Sequence, residues 1–193
     1  MSKMSLRFLS GNKNKITEAQ RILGALDVHI IPIPQKIEEL QTTDTERLVR
    51  DKVLKAYSFT GRPLFVEHTG LYLDQLNGFP GGLTQVFWDT IGPDRFAELF
   101  GNTANTRVIA KTIVAYTNGQ KIHIFLGEIA GTVAPKPRGN REFQWDCVFI
   151  PEGHDQTFSE MGDEKDKISM RRKALDAFAH YLGTIGGMHA TAH

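Results

Sequence analysis

Residues 107–117 and 121–133 are rich in β-branched side chains and flank the dipeptide Asn118-Gly119. Asn-Gly tolerates the positive backbone angles of a tight hairpin turn, so the two runs are expected to fold back on each other as long antiparallel strands. The chain ahead of them has a different rhythm. Residues 6–9 read as a short strand, and Ile16, Ala19, Ile22, Leu23 and Leu26 recur at helical spacing over residues 15–26. Residues 28–33 read as a second strand, and Pro32 and Pro34 then force an extended connection. An early β-α-β order followed by a long hairpin predicts an α/β fold. The expected form is a mixed sheet in two lobes around a cleft.

The remaining elements fit one domain over residues 1–182. Thr43 and Glu46 have capping-box spacing and open a helix carrying Leu48, Val49, Val53, Ala56 and Tyr57. Residues 64–66 form a buried strand that ends at Glu67-His68-Thr69-Gly70, followed by residues 71–76 and the turn-rich Gly78-Phe79-Pro80-Gly81-Gly82. A helix over residues 93–100 starts on Pro93, and an amphipathic helix covers residues 171–182. Residues 183–193 read as a loose C-terminal tail.

Charge and cysteine content exclude several roles. The formal net charge is +1, so no global basic field draws the chain to nucleic acid or anionic lipid. Any anion it binds is held by a local cluster. Cys147 is the single cysteine, which excludes a disulfide framework and suits a reducing compartment. No stretch approaches the roughly 18 apolar residues of a membrane span, and Met1 to Ser5 lack a signal-like apolar region. A cytoplasmic location is expected. No two of the seven histidines have metal-ligand spacing on one helix, so no zinc site is expected.

Four segments carry candidate chemistry, each beside a plainer reading. Ser10-Gly11-Asn12-Lys13-Asn14-Lys15 lies between a strand and a helix, where free N–H groups and the helix dipole favour an anion; a solvated turn is the alternative. Glu38, Glu39 and Glu67 are carboxylates suited to a hard cation, although Glu38 and Glu39 also read as a solvated pair. His68 stands with Glu67 at the strand end, where α/β sites are commonly built. Phe143-Gln144-Trp145-Asp146 suggests aromatics flanking an acid, a slot for a base, or equally a strand with both rings in the core. Lys165 and Ser169-Met170-Arg171-Arg172 offer cations for phosphate or a purine edge, or a basic surface helix start. Cations there oppose the helix dipole unless an anion lies close.

Taken in order, these segments resemble the HAM1 family, the inosine triphosphate pyrophosphatases. The matching pieces are Ser-Gly-Asn-x-x-Lys from Ser10, Glu39-Leu40-Gln41, Glu-x-Thr-Gly-Leu from Glu67, and Gly78 to Gly82. Pro137-Arg138-Gly139, Phe143-x-Trp145-Asp146, Thr157 to Met161 and Ser169-x-Arg171 complete the series. The resemblance implies an elongated α/β fold, a mixed β-sheet with flanking helices, usually dimeric, with a nucleotide in the cleft between two lobes, using Mg²⁺ to split ITP, dITP or XTP into monophosphate and pyrophosphate. It implies that Ser10, Asn12, Lys15 and Lys52 hold the triphosphate, and that Glu39 holds the metal. Phe143, Trp145, Asp146, Lys165 and Arg171 are then expected to frame and read the base.

Three positions depart from the family pattern. The family writes Glu-Asp-Thr-Gly, so His68 stands where a catalytic carboxylate serves the metal and the attacking water. Imidazole is a poor Mg²⁺ ligand, and protonation below its ordinary pKa of about 6.5 would place a cation beside the metal. Gln144 replaces a glycine, and Met170 replaces a histidine that contacts the base. Two functions follow from the sequence. One is a sensor that binds dITP or ITP with little turnover and acts through an effector protein. The other is a working pyrophosphatase in which Glu67 and His68 take the catalytic roles, His68 as general base.

Overall fold

The computed structural model describes residues 4–24 and 27–190, apart from the side chains of residues 185–190. Its strands are β1 (Met4–Leu9), β2 (Val28–Ile33), β3 (Leu64–Leu73), β4 (Pro80–Gly81), β5 (Arg107–Thr117), β6 (Ile122–Val133) and β7 (Phe149–Pro151). The helices are α1 (Lys13–Gly24), α2 (Thr45–Thr60), α3 (Thr84–Phe100), α4 (Phe158–Met161), α5 (Lys165–Ile168) and α6 (Met170–Ala190). The seven strands form one mixed sheet in the order β2-β1-β3-β5-β6-β7, with β4 paired to β3. β1 pairs in parallel with β2 and β3, and the other pairings are antiparallel.

The Asn118-Gly119 hairpin forms as expected, from Arg107↔Thr132 to Thr117↔Ile122. β3 is longer than the sequence suggests. Glu67 and His68 fall in mid-strand, and Gly70 continues the pairing with β5 instead of turning the chain. An alanine at Gly70 would drive its methyl into the Gly81 carbonyl, so glycine there reflects the close approach of β4.

Helix boundaries have local causes. The cap of α2 is Asp44, whose carboxylate accepts from Arg47 N–H at 3.0 Å; the Thr43–Glu46 capping box is replaced by this bond, and Glu46 pairs with Arg50. α3 begins nine residues before the expected start, at Thr84, and Gly92 (φ 70°) interrupts it. The expected helix is its second half, restarting at Pro93, whose missing N–H cannot continue the first half. Leu26, read as the end of the first helix, lies outside the described residues. α6 runs to Ala190, beyond Leu182, so residues 183–190, read as loose tail, continue the helix.

Three buried clusters organise the layers. Leu6, Phe8, Leu23, Phe65, Tyr116 and Phe178 pack α1 and α6 on one sheet face, where Phe8 and Phe65 stack at 4.3 Å. Leu48, Val49, Val53, Val66 and Ala115 pack α2 on the other. Leu71, Phe96, Phe100, Trp145, Phe149, Phe158 and Met170 form a third cluster around α3, the 144–147 turn, β7 and α4.

Candidate functional site

Two cavities lie between the end of the molecule built on α1, α2 and β3 and the end built on α3 and residues 140–166. The larger, about 490 Å³, is lined by Thr17, Glu18 and Arg21 of α1 and by Phe143, Asp146, Phe158, Lys165 and Asp166 from the opposite side. The smaller, about 200 Å³, is lined by Lys15, Glu39, Lys52, His68, Thr69, Thr84, Gln85, Gln144 and Trp145. Parallel β1 and β3 bring Lys15 to Glu67 and His68, because the chain leaving β1 enters α1 directly.

Asn12 caps α1: its side-chain oxygen accepts from Asn14 N–H at 3.0 Å and Lys15 N–H at 3.2 Å. Ser10 Oγ accepts from Asn12 N–H at 3.2 Å. Neither Ser10 nor Asn12 lines either of these two cavities. Lys15 reaches inward to Glu67 Oε1 at 2.8 Å. Burial pulls its ammonium below the ordinary lysine value although Glu67 opposes the shift, and Arg171 and Lys52 add to the fall.

Glu67 is only 3% exposed and also accepts from Arg171 Nε at 2.8 Å. Burial alone would raise its carboxyl, but Arg171 and Lys15 outweigh it and hold it well below the usual carboxylate range. Arg171, 2% exposed, donates through Nη1 to Glu18 Oε2 at 2.5 Å. The cation at the start of α6 thus has the anions that its position demands, drawn from β3 and α1.

Arg171, expected to read a base, lines neither of the two cavities. Two buried carboxylates occupy its guanidinium instead. Trp145 is also displaced from the expected slot. Residues 144–147 form a 3₁₀ turn, with Gln144 at φ 45°, and Trp145 packs in the core at 3% exposure with an edge against Phe149. It borders the smaller cavity, while Phe143 borders the larger. The larger cavity is instead flanked by Phe143 and Phe158, with Lys165 Nζ 4.4 Å and 5.4 Å from their ring centres. Lys165 forms a buried ion pair with Asp146, whose carboxyl burial raises while Lys165 opposes. Phe143, Asp146 and Lys165 therefore meet at the larger cavity.

Sequence reasoning missed Glu18, Phe158, Thr69, Thr84 and Gln85 as cavity residues. Glu18 follows Lys15 by three positions on α1 and so shares its face, a signal that was available. Gln85 carries none, since its role comes from a side-chain hydrogen bond with Gln144 that spans the smaller cavity's wall. Gln144 holds a left-handed angle that glycine adopts freely and that costs other residues roughly 1–2 kcal/mol. Met170 is 1% exposed and belongs to the core, facing neither cavity.

His68 is 8% exposed, and its Nδ1 lies 3.6 Å from Glu39 Oε2. The other oxygen of Glu39 is bound by Lys52. Burial lowers the imidazole to about 4, with Lys15 adding to the fall and Glu39 opposing it. The ring is thus neutral over the physiological range, which corrects the expectation of a cation appearing there below pH 6.5. For Glu39, burial pushes upward, but Lys52, with His68 and Lys15, brings the carboxyl below its ordinary value.

Mg²⁺ does not fit this donor set. It demands oxygen ligands, yet Glu67 is paired with Lys15 and Arg171, and Glu39 offers one oxygen beside an imidazole. Among the described residues no group of three or more His, Cys, Asp and Glu is placed to hold a metal. No described helix is long and apolar enough to cross a membrane.

Residues 6–181 match the sequence model of the Ham1 family. A dITP/XTP pyrophosphatase of Methanopyrus kandleri is 37% identical over 187 residues, covering 95% of this chain and all of the relative. An inosine triphosphate pyrophosphatase of Kluyveromyces lactis is 34% identical, covering 96% of this chain and all of that protein. The structure of a HAM1 protein from Coxiella burnetii superposes with a TM-score of 0.80 over 94% of this chain and 99% of that one, at 24% identity, a likeness of fold.

Proposed function

Because the chain belongs to the Ham1 family, we propose that its cleft binds a deaminated purine nucleoside triphosphate, dITP, ITP or XTP, with slow hydrolysis or none. The base enters the larger cavity against Phe143, where Asp146 and Lys165 offer an acceptor and a donor. The triphosphate extends towards Lys15 and Lys52, with Ser10 and Asn12 at the head of α1. Arg171 acts from behind the cleft as a positioning residue for Glu67 and Glu18.

The observation that carries the loss of turnover is the neutral imidazole of His68 facing Glu39. A carboxylate pair that would hold Mg²⁺ against the phosphates is reduced to one oxygen. A domain that binds without consuming its ligand suits a nucleotide-sensing subunit, homodimeric as the family resemblance implies. It would signal through an effector protein that distinguishes its free and bound states. Calorimetric titration of dITP into the pure protein with Mg²⁺ tests this. Saturable heat that returns to baseline supports a receptor, and sustained heat with release of pyrophosphate refutes it.

The second reading is an active pyrophosphatase, favoured by full-length relatives that are named dITP/XTP pyrophosphatases. Here neutral His68 takes the proton of a water attacking the α-phosphorus, the new P–O bond forms, and the α–β bridge breaks to release pyrophosphate. In that case His68→Ala abolishes turnover while leaving dITP binding intact.

A further inference from the structure

We infer that Gln144 completes a metal-free phosphate seat in the smaller cavity, its carboxamide donating to phosphate oxygens of the nucleotide beside Lys15 and Lys52. The inference rests on the proposal that the triphosphate reaches that cavity. Mg²⁺ does not fit the donors there, and the charge a cation would offset falls to N–H groups of this chain. His68 is uncharged, so the wall lacks the second carboxylate that a dication would balance. Each lysine ammonium has three N–H donors. Glu67 takes one from Lys15, and Glu39 and the Glu67 carbonyl take two from Lys52. Among the described residues each lysine therefore keeps a donor to spare.

The polarity of the Gln144 amide is fixed by its neighbours. Asp89 is a carboxylate and only accepts, so the Gln85 amide turns its nitrogen to it, 2.8 Å from both oxygens. The Gln85 carbonyl oxygen is left for Gln144, which must present its own nitrogen. That nitrogen carries two hydrogens, and the second has no partner among the described residues. Gln85 and Gln144 border the smaller cavity from the α3 side, while Lys15 and Lys52 reach it from α1 and α2. Trp145 borders it as well, and its buried indole N–H has no acceptor. A phosphate oxygen is what this wall of donors lacks. Glutamine stands at φ 45°, which glycine adopts without strain, so the side chain comes at a backbone cost of the kind found at ligand clamps.

The test is calorimetric titration of the whole chain with an α,β-imido analogue of ITP, in EDTA and in Mg²⁺. The two dissociation constants should agree within about twofold. Gln144→Met keeps the side-chain length without the amide and should bind the analogue about tenfold more weakly in both conditions. Asp89→Asn no longer fixes the Gln85 amide and should weaken binding by about threefold, because Gln85 only positions the donor. In the unsubstituted protein the analogue should move the side-chain NH₂ signal of Gln144 in a proton–nitrogen correlation spectrum, a readout that needs no folded variant. Binding that requires Mg²⁺, an unchanged affinity in Gln144→Met, or a Gln144 signal that ignores the analogue overturns the seat while leaving nucleotide binding intact. Failure of the analogue to bind under any condition refutes the nucleotide reading and this inference with it.

Discussion

Replacing Arg171 with leucine should destabilise the protein more than any loss of packing volume explains. Its guanidinium is 2% exposed and ties Glu67, 3% exposed, to Glu18, 6% exposed. Removing one member of a buried ionic group typically costs about 3–5 kcal/mol, because the partners remain charged and dry. Glu67 keeps Lys15 at 2.8 Å, so the loss falls mainly on Glu18, whose Oε1 already lacks a partner. Urea unfolding followed by circular dichroism should therefore show Arg171→Leu about 3–5 kcal/mol less stable than the parent. The double variant Arg171→Leu/Glu18→Leu should recover about 2 kcal/mol of that, since the stranded carboxylate is gone. The pH dependence has a fixed sign. Burial already raises the Glu18 carboxyl, and without Arg171 nothing comparable opposes it. The folded variant then holds a proton that the unfolded chain has released above about pH 4.3–4.5, so its stability falls as pH rises and returns towards pH 5. A cost under about 1 kcal/mol, or strict additivity in the double variant, would refute the account of a single buried network.

Further consequences can be measured directly. His68→Asp should introduce Mg²⁺-dependent release of pyrophosphate from dITP; no gain would mean that Gln144 also obstructs the chemistry. In chelator, unfolding free energy should fall by about 3 kcal/mol between pH 6.5 and pH 4, because the unfolded chain protonates His68 before the folded one does. That slope should flatten in His68→Asn. Gln144→Gly should be about 1 kcal/mol more stable than Gln144→Ala by thermal unfolding, since both lose the bond to Gln85 but only glycine relieves the left-handed angle.

The parts legible in the sequence were those whose pattern repeats. The β-branched runs flanking Asn118-Gly119 predicted β5 and β6, and the spacing of Ile16, Ala19 and Leu23 predicted α1. The four-residue α4 and α5 and the 144–147 turn are too short to show a period, and tertiary packing rather than propensity sets their path. β3 was cut short because Gly70 looks like a turn until β4 is seen lying against it. The site was legible to a similar depth. A cation at the start of a helix signalled a hidden anion, but only the fold identifies Glu67 and Glu18, which are 104 and 153 positions away. The opposite destinations of Phe143 and Trp145 follow from the Gln144 backbone angle, which residue identity argues against.

Residues 34–44, between β2 and α2, carry Glu39 with no regular secondary structure of their own. Their far end rests on the backbone at Gly81–Gly82, where Gly82 N–H donates to the Thr43 carbonyl at 3.0 Å and an added methyl at either glycine would strike a carbonyl of Thr42 or Thr43. Constraint on this carboxylate is therefore unevenly distributed along the chain. The strap's outward side chains at Gln35, Lys36 and Glu38 are exposed and free to vary. Two hydrogen atoms more than forty positions downstream are not. Drift in this lineage should accumulate on the strap and spare its anchor, so that a change at Gly81 or Gly82 would shift Glu39 without touching it.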